Sequence, residues 1–193
     1  LDYDEDRRTP LLDKVKMGLG TMFWRKPDSS THNGWGLKAP QSYIFLRNLT
    51  EGFEKPKYIH VMRHGVDMAC SPNQRQLFNW SWRYGISYES SVASIRRNSL
   101  KYWCCANEEV FRIGEEMGND QFLSVKFEDV VVNPEKTFEE VASFLGIPTD
   151  EASREAFTSY VKSPSSLGRY KQEDLSIFDE ADLERVRAFG YTV

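Results

Sequence analysis

KYIHVMRHGVDMACS, residues 57–71, is the stretch that decides the fold of this chain. It opens as a β-rich run, and we predict a buried strand over residues 55–63. Helical apolar spacing follows at once and continues until Pro72 interrupts it. A strand that turns directly into a helix is the repeating unit of a parallel α/β sheet, so the stretch predicts that fold class.

Strands and helices alternate along the rest of the chain as well. We predict strands at 35–38 and 122–127, and helices at 11–19, 40–53, 88–118, 133–146, 149–161 and 179–189. This alternation implies a central parallel sheet covered on both faces, which is a three-layer α/β/α architecture. No internal repeat or low-complexity segment stands out, and we expect one domain over residues 1–193.

The composition is that of an ordinary globular protein of 193 residues, 40% hydrophobic and 28% charged, with a net charge of −4. A nucleic-acid-binding protein needs an excess of Lys and Arg on one face, so that class is excluded. No apolar run approaches the roughly 18 residues that span a bilayer, and a membrane protein is excluded too. The charged amino-terminal residues LDYDEDRR are not those of a secretory signal.

The cysteines and histidines limit the chemistry further. Cys70, Cys104 and Cys105 are an odd set with two adjacent members, which is a poor disulfide framework without metal-site spacing. We therefore expect reduced thiols and a cytoplasmic protein. Since the chain has only three histidines, we expect no metal cofactor.

Arg63, Asp67 and Ser71 recur at four-residue intervals directly after the predicted strand. We expect Asp67 and Ser71 on one helical face, with Arg63 at the carboxyl end of the strand, where ligands of parallel sheets bind. Arg offers a planar fork to phosphate oxygens, and Ser offers a hydroxyl donor. Asp67 has the wrong charge for phosphate and is expected to orient Arg63 or to cap the helix. The pattern predicts a phosphate site, and the alternative is a surface Arg–Asp pair.

The same run resembles the 3′-phosphate-binding segment of sulfotransferases: a strand, then Arg, three residues, Asp, three residues, Ser. The resemblance implies that Arg63 and Ser71 grip the 3′-phosphate of 3′-phosphoadenosine-5′-phosphosulfate, the sulfate donor of that family. Family members often have Asp-Pro after the Arg, where this chain has His64 and Gly65. We interpret His64 as a loop residue and not as a catalyst.

Two further segments that resemble the family flank this run. WGLKAP (35–40) is similar to its Lys-x-Pro or Lys-x-His segment, and Lys38 matches the Lys that in the family lies near the transferring sulfuryl group. VKFEDVVVNPEKTFEEVASFLGIP (125–148) resembles a strand-Glu-Asp-Leu-x4-Pro stretch followed by a helix. That stretch is mostly structural in the family, and Glu128 is its residue to examine for burial and pairing.

SLGRYK (166–171) resembles the closing Gly-Arg-Trp loop of the family, with Tyr170 in place of the usual Trp. The resemblance implies that Arg169, with Ser166 and Gly168, lies over the 3′-phosphate and the adenine. It also implies that the product is adenosine 3′,5′-bisphosphate. The matching segments cover about residues 35–175 in the family's order.

The family's loop for the 5′-phosphosulfate, of the type Pro-x-Ser-Gly-Thr-Thr, is not found. MGLGTM (17–22) has Gly and Thr, but the residues before it have helical spacing and lack the strand that such a loop requires. We interpret it as a helix end. The resemblance therefore implies a P-loop nucleoside triphosphate hydrolase-like fold without its first strand and donor loop, in an amino-terminally incomplete chain.

The implied reaction is in-line transfer of a sulfuryl group to a hydroxyl or an amine. Lys38 would stabilise the charge that develops on the donor's bridging oxygen. A base would take the acceptor's proton. Many relatives place His two residues after the Lys, where this chain has Pro40. His32, in the preceding polar loop, is the best local candidate, and a solvated loop histidine is the alternative.

The acceptor is expected to be a small molecule or a carbohydrate. An aromatic cluster after the clamp offers faces for stacking on a sugar or an apolar alcohol, although packing between helices is the alternative. Its members are Phe78, Trp80, Trp82, Tyr84 and Tyr88.

Two other functions stay open. One is a non-catalytic nucleotide-binding or interaction remnant of a sulfotransferase. The other is a small-molecule kinase, which would need a Walker-type Lys and Mg²⁺ ligands that we cannot place.

Overall fold

The computed structural model describes residue 34 and residues 36–193, and it divides the chain into two compact units, Leu1–Gly52 and Phe53–Val193. The helix predicted at 11–19, the MGLGTM segment and His32 lie outside the described residues. The expectation of one domain over the whole chain stays a prediction.

The first unit is helical from Ser42 to Gly52. A 3₁₀ turn at Ser42–Phe45 leads into helix α1 at Leu46–Gly52, so the helix predicted at 40–53 begins later than expected. The strand predicted at 35–38 is wrong, because residues 36–38 are irregular. Gly36 disfavours a strand, and no segment that the structure describes pairs with these residues.

The second unit is built on two parallel strands, β1 at Tyr58–Met62 and β2 at Phe122–Lys126. Both were predicted. They pair in register from Tyr58 opposite Phe122 to Met62 opposite Lys126. Parallel neighbours need a long crossover. Three helices supply it: α2 at Gly65–Ala69, α3 at Arg75–Trp80 and α4 at Val92–Met117. The fold is therefore α/β, as predicted.

Helix α4 covers one face of the sheet. Ser91 caps its start by accepting a hydrogen bond from the Ser94 N–H, and the helix predicted at 88–118 is confirmed. A glycine allows the close approach of helix and sheet, because a Cβ on Gly114 would lie 2.6 Å from the Phe122 ring. Helix and sheet thus form two packed layers of the unit.

Four more helices follow β2, and three of them were predicted. Their bounds are α5 at Phe127–Val132, α6 at Pro134–Leu145, α7 at Glu151–Tyr160 and α8 at Glu180–Ala188. Gly146 ends α6 with a φ of +71°, a left-handed conformation that glycine adopts without strain. Asp150 caps α7 by accepting a hydrogen bond from the Ser153 N–H at 2.7 Å.

The core of the second unit lies where α2, α4 and α8 meet the end of β1. Val66 of α2 and Leu100 of α4 are fully buried there. Trp103 packs on Gly65, where an added Cβ would lie 2.8 Å from the ring. The Trp103 Nε1 also donates to the Arg63 carbonyl at 3.0 Å. The core therefore fixes the backbone of the residue that follows β1.

Three further features of the described residues concern their thiols, their metal-binding groups and the length of their apolar helices. Cys70, Cys104 and Cys105 are free thiols. Among the described residues, no three His, Cys, Asp or Glu side chains are grouped so that they could hold a metal ion. None of the helices in that part of the chain is long and apolar enough to cross a membrane.

Candidate functional site

Arg63 follows β1 directly, at the carboxyl end of the sheet. Its Nη2 donates to the carbonyl oxygen and the hydroxyl oxygen of Ser166, at 2.8 and 3.0 Å. Its guanidinium carbon lies 5.4 Å from the centroid of the Phe127 ring. Its Nε is buried and finds no hydrogen-bond acceptor among the described residues. Arg63 is therefore held through Nη2, whereas the N–H of its Nε has no partner in the described part of the chain.

Asp67 joins this end of the sheet to the loop that contains Ser166. Its Oδ2 accepts from the Gly168 N–H at 2.7 Å, and its Oδ1 accepts from the Tyr170 N–H at 3.0 Å. Oδ2 also lies 3.6 Å from Arg63 Nη2. Gly168 has a φ of +73°, which favours glycine at this turn of the loop. Asp67 therefore holds the loop by its backbone, which was not predicted. It also lies beside Arg63, and its predicted role of orienting that residue stays a prediction.

Arg169 belongs to the same loop and points back to the end of α2. Its Nη1 donates to the Cys70 carbonyl at 3.3 Å, and its Nε donates to the Ser166 carbonyl at 3.4 Å. Arg63 and Arg169 thus share the Ser166 carbonyl. The structure brings together Arg63, Ser166, Gly168 and Arg169, which the sequence singled out from two distant segments.

Ser71 lies beside this group but not on α2. The helix ends at Ala69, because Pro72 disfavours a helical backbone in the residue before it. The prediction that Asp67 and Ser71 share a helical face is therefore wrong. The Ser71 Oγ accepts from the Asn73 N–H at 3.2 Å, and its own proton has no acceptor in the part of the chain that the structure describes.

Two guanidinium groups lie at the site, those of Arg63 and Arg169, and the Asp67 carboxylate lies 3.6 Å from Arg63 Nη2. The neighbouring Arg96 adds no net charge, because it pairs with Glu173 at 2.6 Å. Burial raises the pKa of the Cys70 thiol to about 11, so this group is neutral at physiological pH. The Glu128 carboxylate lies close by, where it accepts from the His64 N–H, so two cations stand against two carboxylates. The group that an anion would engage is therefore the N–H of Arg63 Nε, which has no partner among the residues that the structure describes.

His64 and Glu128 support the site from behind. The His64 Nδ1 accepts from the Val66 N–H at 3.2 Å, so His64 and not Asp67 caps α2. The His64 backbone N–H donates to Glu128 Oε1 at 3.0 Å, and Glu128 Oε2 accepts from the Tyr191 hydroxyl at 3.3 Å. Burial, together with the Glu128 carboxylate, raises the pKa of Tyr191 above its usual value, so its hydroxyl remains a donor.

Two predicted residues are not placed at the site. Lys38 belongs to the first unit, where it is exposed in an irregular segment. His32 lies outside the described residues. Their roles stay predictions.

Sequence reasoning missed the parts of the site that come from distant segments. The Tyr191 hydroxyl oxygen also lies 3.2 Å from the Met62 carbonyl oxygen, 129 residues away in sequence, so its one proton is shared between this carbonyl and Glu128. No local pattern signals such a contact. The cap by His64 had a positional signal, since His64 stands between the strand and the helix. It was missed because Asp is the commoner capping residue.

The family model and the solved structures that this chain resembles are those of sulfotransferases. A model of the sulfotransferase family matches residues 3–151. No curated protein matches the chain. Two solved structures resemble its fold, at identities that carry information about the fold alone.

The first is the sulfotransferase domain from the Synechococcus PCC 7002 olefin synthase, with 19% identity and a TM-score of 0.50 over 78% of this chain and 55% of that domain. The second is the sulfotransferase domain from the curacin biosynthetic pathway, with 15% identity and a TM-score of 0.57 over 81% of this chain and 62% of that domain. The chain thus spans less than two thirds of either domain.

Proposed function

The chain belongs to the sulfotransferase family, and we propose that it transfers a sulfuryl group from 3′-phosphoadenosine-5′-phosphosulfate to a hydroxyl or amine of a small-molecule or carbohydrate acceptor. The bond between sulfur and the donor's bridging oxygen breaks, and a bond between sulfur and the acceptor forms. The acceptor loses a proton, and adenosine 3′,5′-bisphosphate leaves. The convergence of Arg63, Ser166 and Arg169 across 103 residues of sequence carries the proposal.

The arrangement at the end of β1 fits the 3′-phosphate of this donor. A phosphate monoester accepts several hydrogen bonds at once, and Arg is the residue best shaped to provide them. Arg63 offers its buried Nε, and Ser71 offers its hydroxyl proton. A buried donor without an acceptor costs about 1–3 kcal/mol, and a bound phosphate oxygen would remove that cost. Arg169 supplies the second positive charge.

Lys38 and His32 complete the proposed chemistry. We assign to Lys38 the stabilisation of charge on the donor's bridging oxygen, where a preorganised cation lowers the barrier. His32 is the candidate base for the acceptor's proton. Both assignments rest on the resemblance of their segment to the family.

The proposal includes the finer architecture of the family, a three-layer α/β/α fold of the P-loop type. Helix α4 covers the face of the sheet that carries His60, whose Nε2 bonds to Asn107 of that helix at 2.8 Å. Val61 points to the opposite face and is 58% exposed. An apolar side chain so exposed in a parallel strand marks the face that a further helical layer covers in three-layer folds.

The acceptor surface that we propose is formed by the exposed members of the aromatic cluster. Tyr84 packs instead, since its ring lies 5.5 Å from Tyr102 and its hydroxyl donates to Glu109. Phe78, Trp82 and Tyr88 are exposed, and the rings of Phe78 and Tyr88 lie 5.6 Å apart. Aromatic faces of this kind suit a sugar ring or an apolar alcohol.

We keep the cytoplasm as the proposed compartment. All three cysteines are free thiols, including the adjacent pair Cys104 and Cys105. Reduced thiols are typical of a reducing compartment.

Thermal denaturation with adenosine 3′,5′-bisphosphate tests the anion site. A ligand that binds only the native state at 100 times its Kd stabilises it by about 2.7 kcal/mol, so the melting temperature of the wild type should rise. Arg63→Ala should lose most of that rise. Arg112→Ala is the matched control, because Arg112 is 59% exposed and pairs with Glu116 on α4. Equal shifts in Arg63→Ala and the wild type would exclude the assignment.

A transfer assay with labelled donor separates the remaining functions. Label that passes to an acceptor, and fails to pass in Lys38→Ala, supports the enzyme. Protection by the bisphosphate without any transfer supports the non-catalytic module. Protection by ATP and Mg²⁺ but not by the bisphosphate would point to a kinase.

A further inference from the structure

The His64 side chain lies where three segments meet behind the anion site. It is 5% exposed. Its Nδ1 accepts from the Val66 N–H at 3.2 Å, and its Nε2 lies 3.0 Å from the Thr192 carbonyl oxygen. A carbonyl only accepts and an amide N–H only donates, so these partners assign the proton to Nε2. His64 therefore bonds with both ring nitrogens to protein groups and has none left for a ligand.

One flat face of the His64 ring contacts the loop of the anion site. The rings of His64 and Tyr170 are stacked, with centroids 4.0 Å apart and planes 15° from parallel. Tyr191 meets the His64 ring at 5.0 Å in an edge-on arrangement. Stacked pairs of this kind contribute about 0.5–1.5 kcal/mol beyond their burial. Tyr170 is thus held by its ring through His64 and by its backbone N–H through Asp67.

We propose that His64 is a positioning residue for the anion site. It holds Tyr170, and thereby keeps the loop at 166–170 in the conformation that places Ser166 and Arg169 against the end of β1. Its bond to Thr192 extends this support to segment 190–193, whose Gly190 carbonyl accepts from Lys126 at 2.7 Å. The identity of the anion rests on the proposed function. The positioning of the loop by His64 does not, because it follows from the contacts of His64 with Tyr170.

The test must separate positioning from general stability. His64→Asn removes the stacked ring, while its side-chain oxygen can still cap α2. His60→Asn is the matched control, because His60 is also buried and ring-stacked, but it contacts Tyr58, Phe111 and Phe122 and not the loop. Each variant is compared with the wild type by the amide hydrogen exchange of Gly168 and Tyr170 and by the Kd for adenosine 3′,5′-bisphosphate.

We expect His64→Asn to accelerate exchange at both amides and to weaken bisphosphate affinity roughly two- to twelvefold, the range that corresponds to loss of one ring stack. The KM for the donor should rise while kcat changes little. His60→Asn should lower the melting temperature and leave the affinity and the two amides unchanged.

Wild-type exchange and wild-type affinity in His64→Asn would overturn the proposal. If the wild type does not bind the bisphosphate, the proposed function fails, but faster exchange in His64→Asn still supports the positioning role. Should His64→Asn not fold, Tyr170→Leu removes the same stack and leaves the cap and the Glu128 bond in place. Unchanged exchange at Gly168 in that variant would equally overturn the proposal.

Discussion

The carboxylate of Asp67 accepts a hydrogen bond from the backbone N–H of Gly168 at 2.7 Å, across 101 residues of sequence. The same carboxylate accepts from Tyr170 and lies 3.6 Å from the Arg63 guanidinium. Its side chain is only 1% exposed. Because water has little access to it, each partner depends on this one group, and Asp67 joins the two segments that form the anion site.

Asp67→Asn should therefore weaken both the fold and the site. An amide keeps one acceptor oxygen, but its NH₂ group then faces a backbone N–H that also donates. A buried group left unsatisfied in this way costs about 1–3 kcal/mol, and we expect urea denaturation to show a loss of that size. The affinity for adenosine 3′,5′-bisphosphate should fall as well, since the loop with Arg169 loses its anchor.

The control for this prediction is Asp174→Asn. Asp174 is exposed and accepts from the Ser176 N–H at 2.9 Å, a local capping bond that Asn makes equally well. Its urea midpoint and its bisphosphate affinity should match those of the wild type. If Asp67→Asn behaved like this control, Asp67 would not be the link between the two segments.

Gly65→Ala should destabilise the second unit through a packing clash. The added Cβ would lie 2.8 Å from Trp103 Cε3 and 3.1 Å from Leu100 Cδ1, and both side chains belong to the core. Overpacking of this kind costs about 1–3 kcal/mol. Gly52→Ala is the control, since nothing lies within 4 Å of a Cβ at the end of α1. A melting temperature unchanged in Gly65→Ala would show that Trp103 can move away without cost.

Much of the fold was predictable because its signals are local. The strands at 58–62 and 122–126 are β-rich runs, and Gly146 and Asp150 end and begin helices by their own backbone and side-chain preferences. The short strand at 35–38 failed because a strand exists only with a partner, which a local pattern does not reveal.

The candidate site was predictable in its members but not in its connections. Arg63 and Arg169 were both singled out, yet no spacing rule says that both donate to the Ser166 carbonyl. The place of Ser71 was mistaken because four-residue spacing was extended through a helix that Pro72 ends. Contacts across a hundred residues follow from packing, and only the folded chain shows them.

His60 should make the stability of the protein depend on pH. Burial lowers the pKa of His60 below 6.5, although its bond to Asn107 opposes the shift. The unfolded chain therefore binds a proton more readily than the native one, so stability is complete above about pH 6.5 and is lost as the pH falls below it. The slope is at most about 1.4 kcal/mol per pH unit. Urea midpoints measured between pH 8 and pH 5 test this, because most carboxylates titrate lower.

His60→Asn should flatten that pH dependence. The variant lacks the titrating ring, so its stability should change less between pH 7 and pH 5 than that of the wild type, even if it is lower throughout. A curve parallel to that of the wild type over this range would assign the dependence to other groups.

The three thiols should differ in reactivity. Burial raises the pKa of Cys70 to about 11 and that of Cys104 to about 12, so at pH 8 about one Cys70 thiol in a thousand is a thiolate. Cys105 is only half-buried. Ellman's reagent should therefore modify one thiol quickly in the native protein and all three in urea.

Cys105→Ser should abolish the fast phase and leave the slow one unchanged. In the wild type, the Cys105 Sγ accepts a hydrogen bond from Arg185 at 3.3 Å. A serine hydroxyl can accept the same bond, so the fold should tolerate the change. Saturation with adenosine 3′,5′-bisphosphate should slow modification of Cys70 further, because the Cys70 carbonyl bonds to Arg169 and a tighter loop opens less often. A fast phase that persists in Cys105→Ser would show that Cys70 or Cys104 opens to solvent, and with it the end of α2.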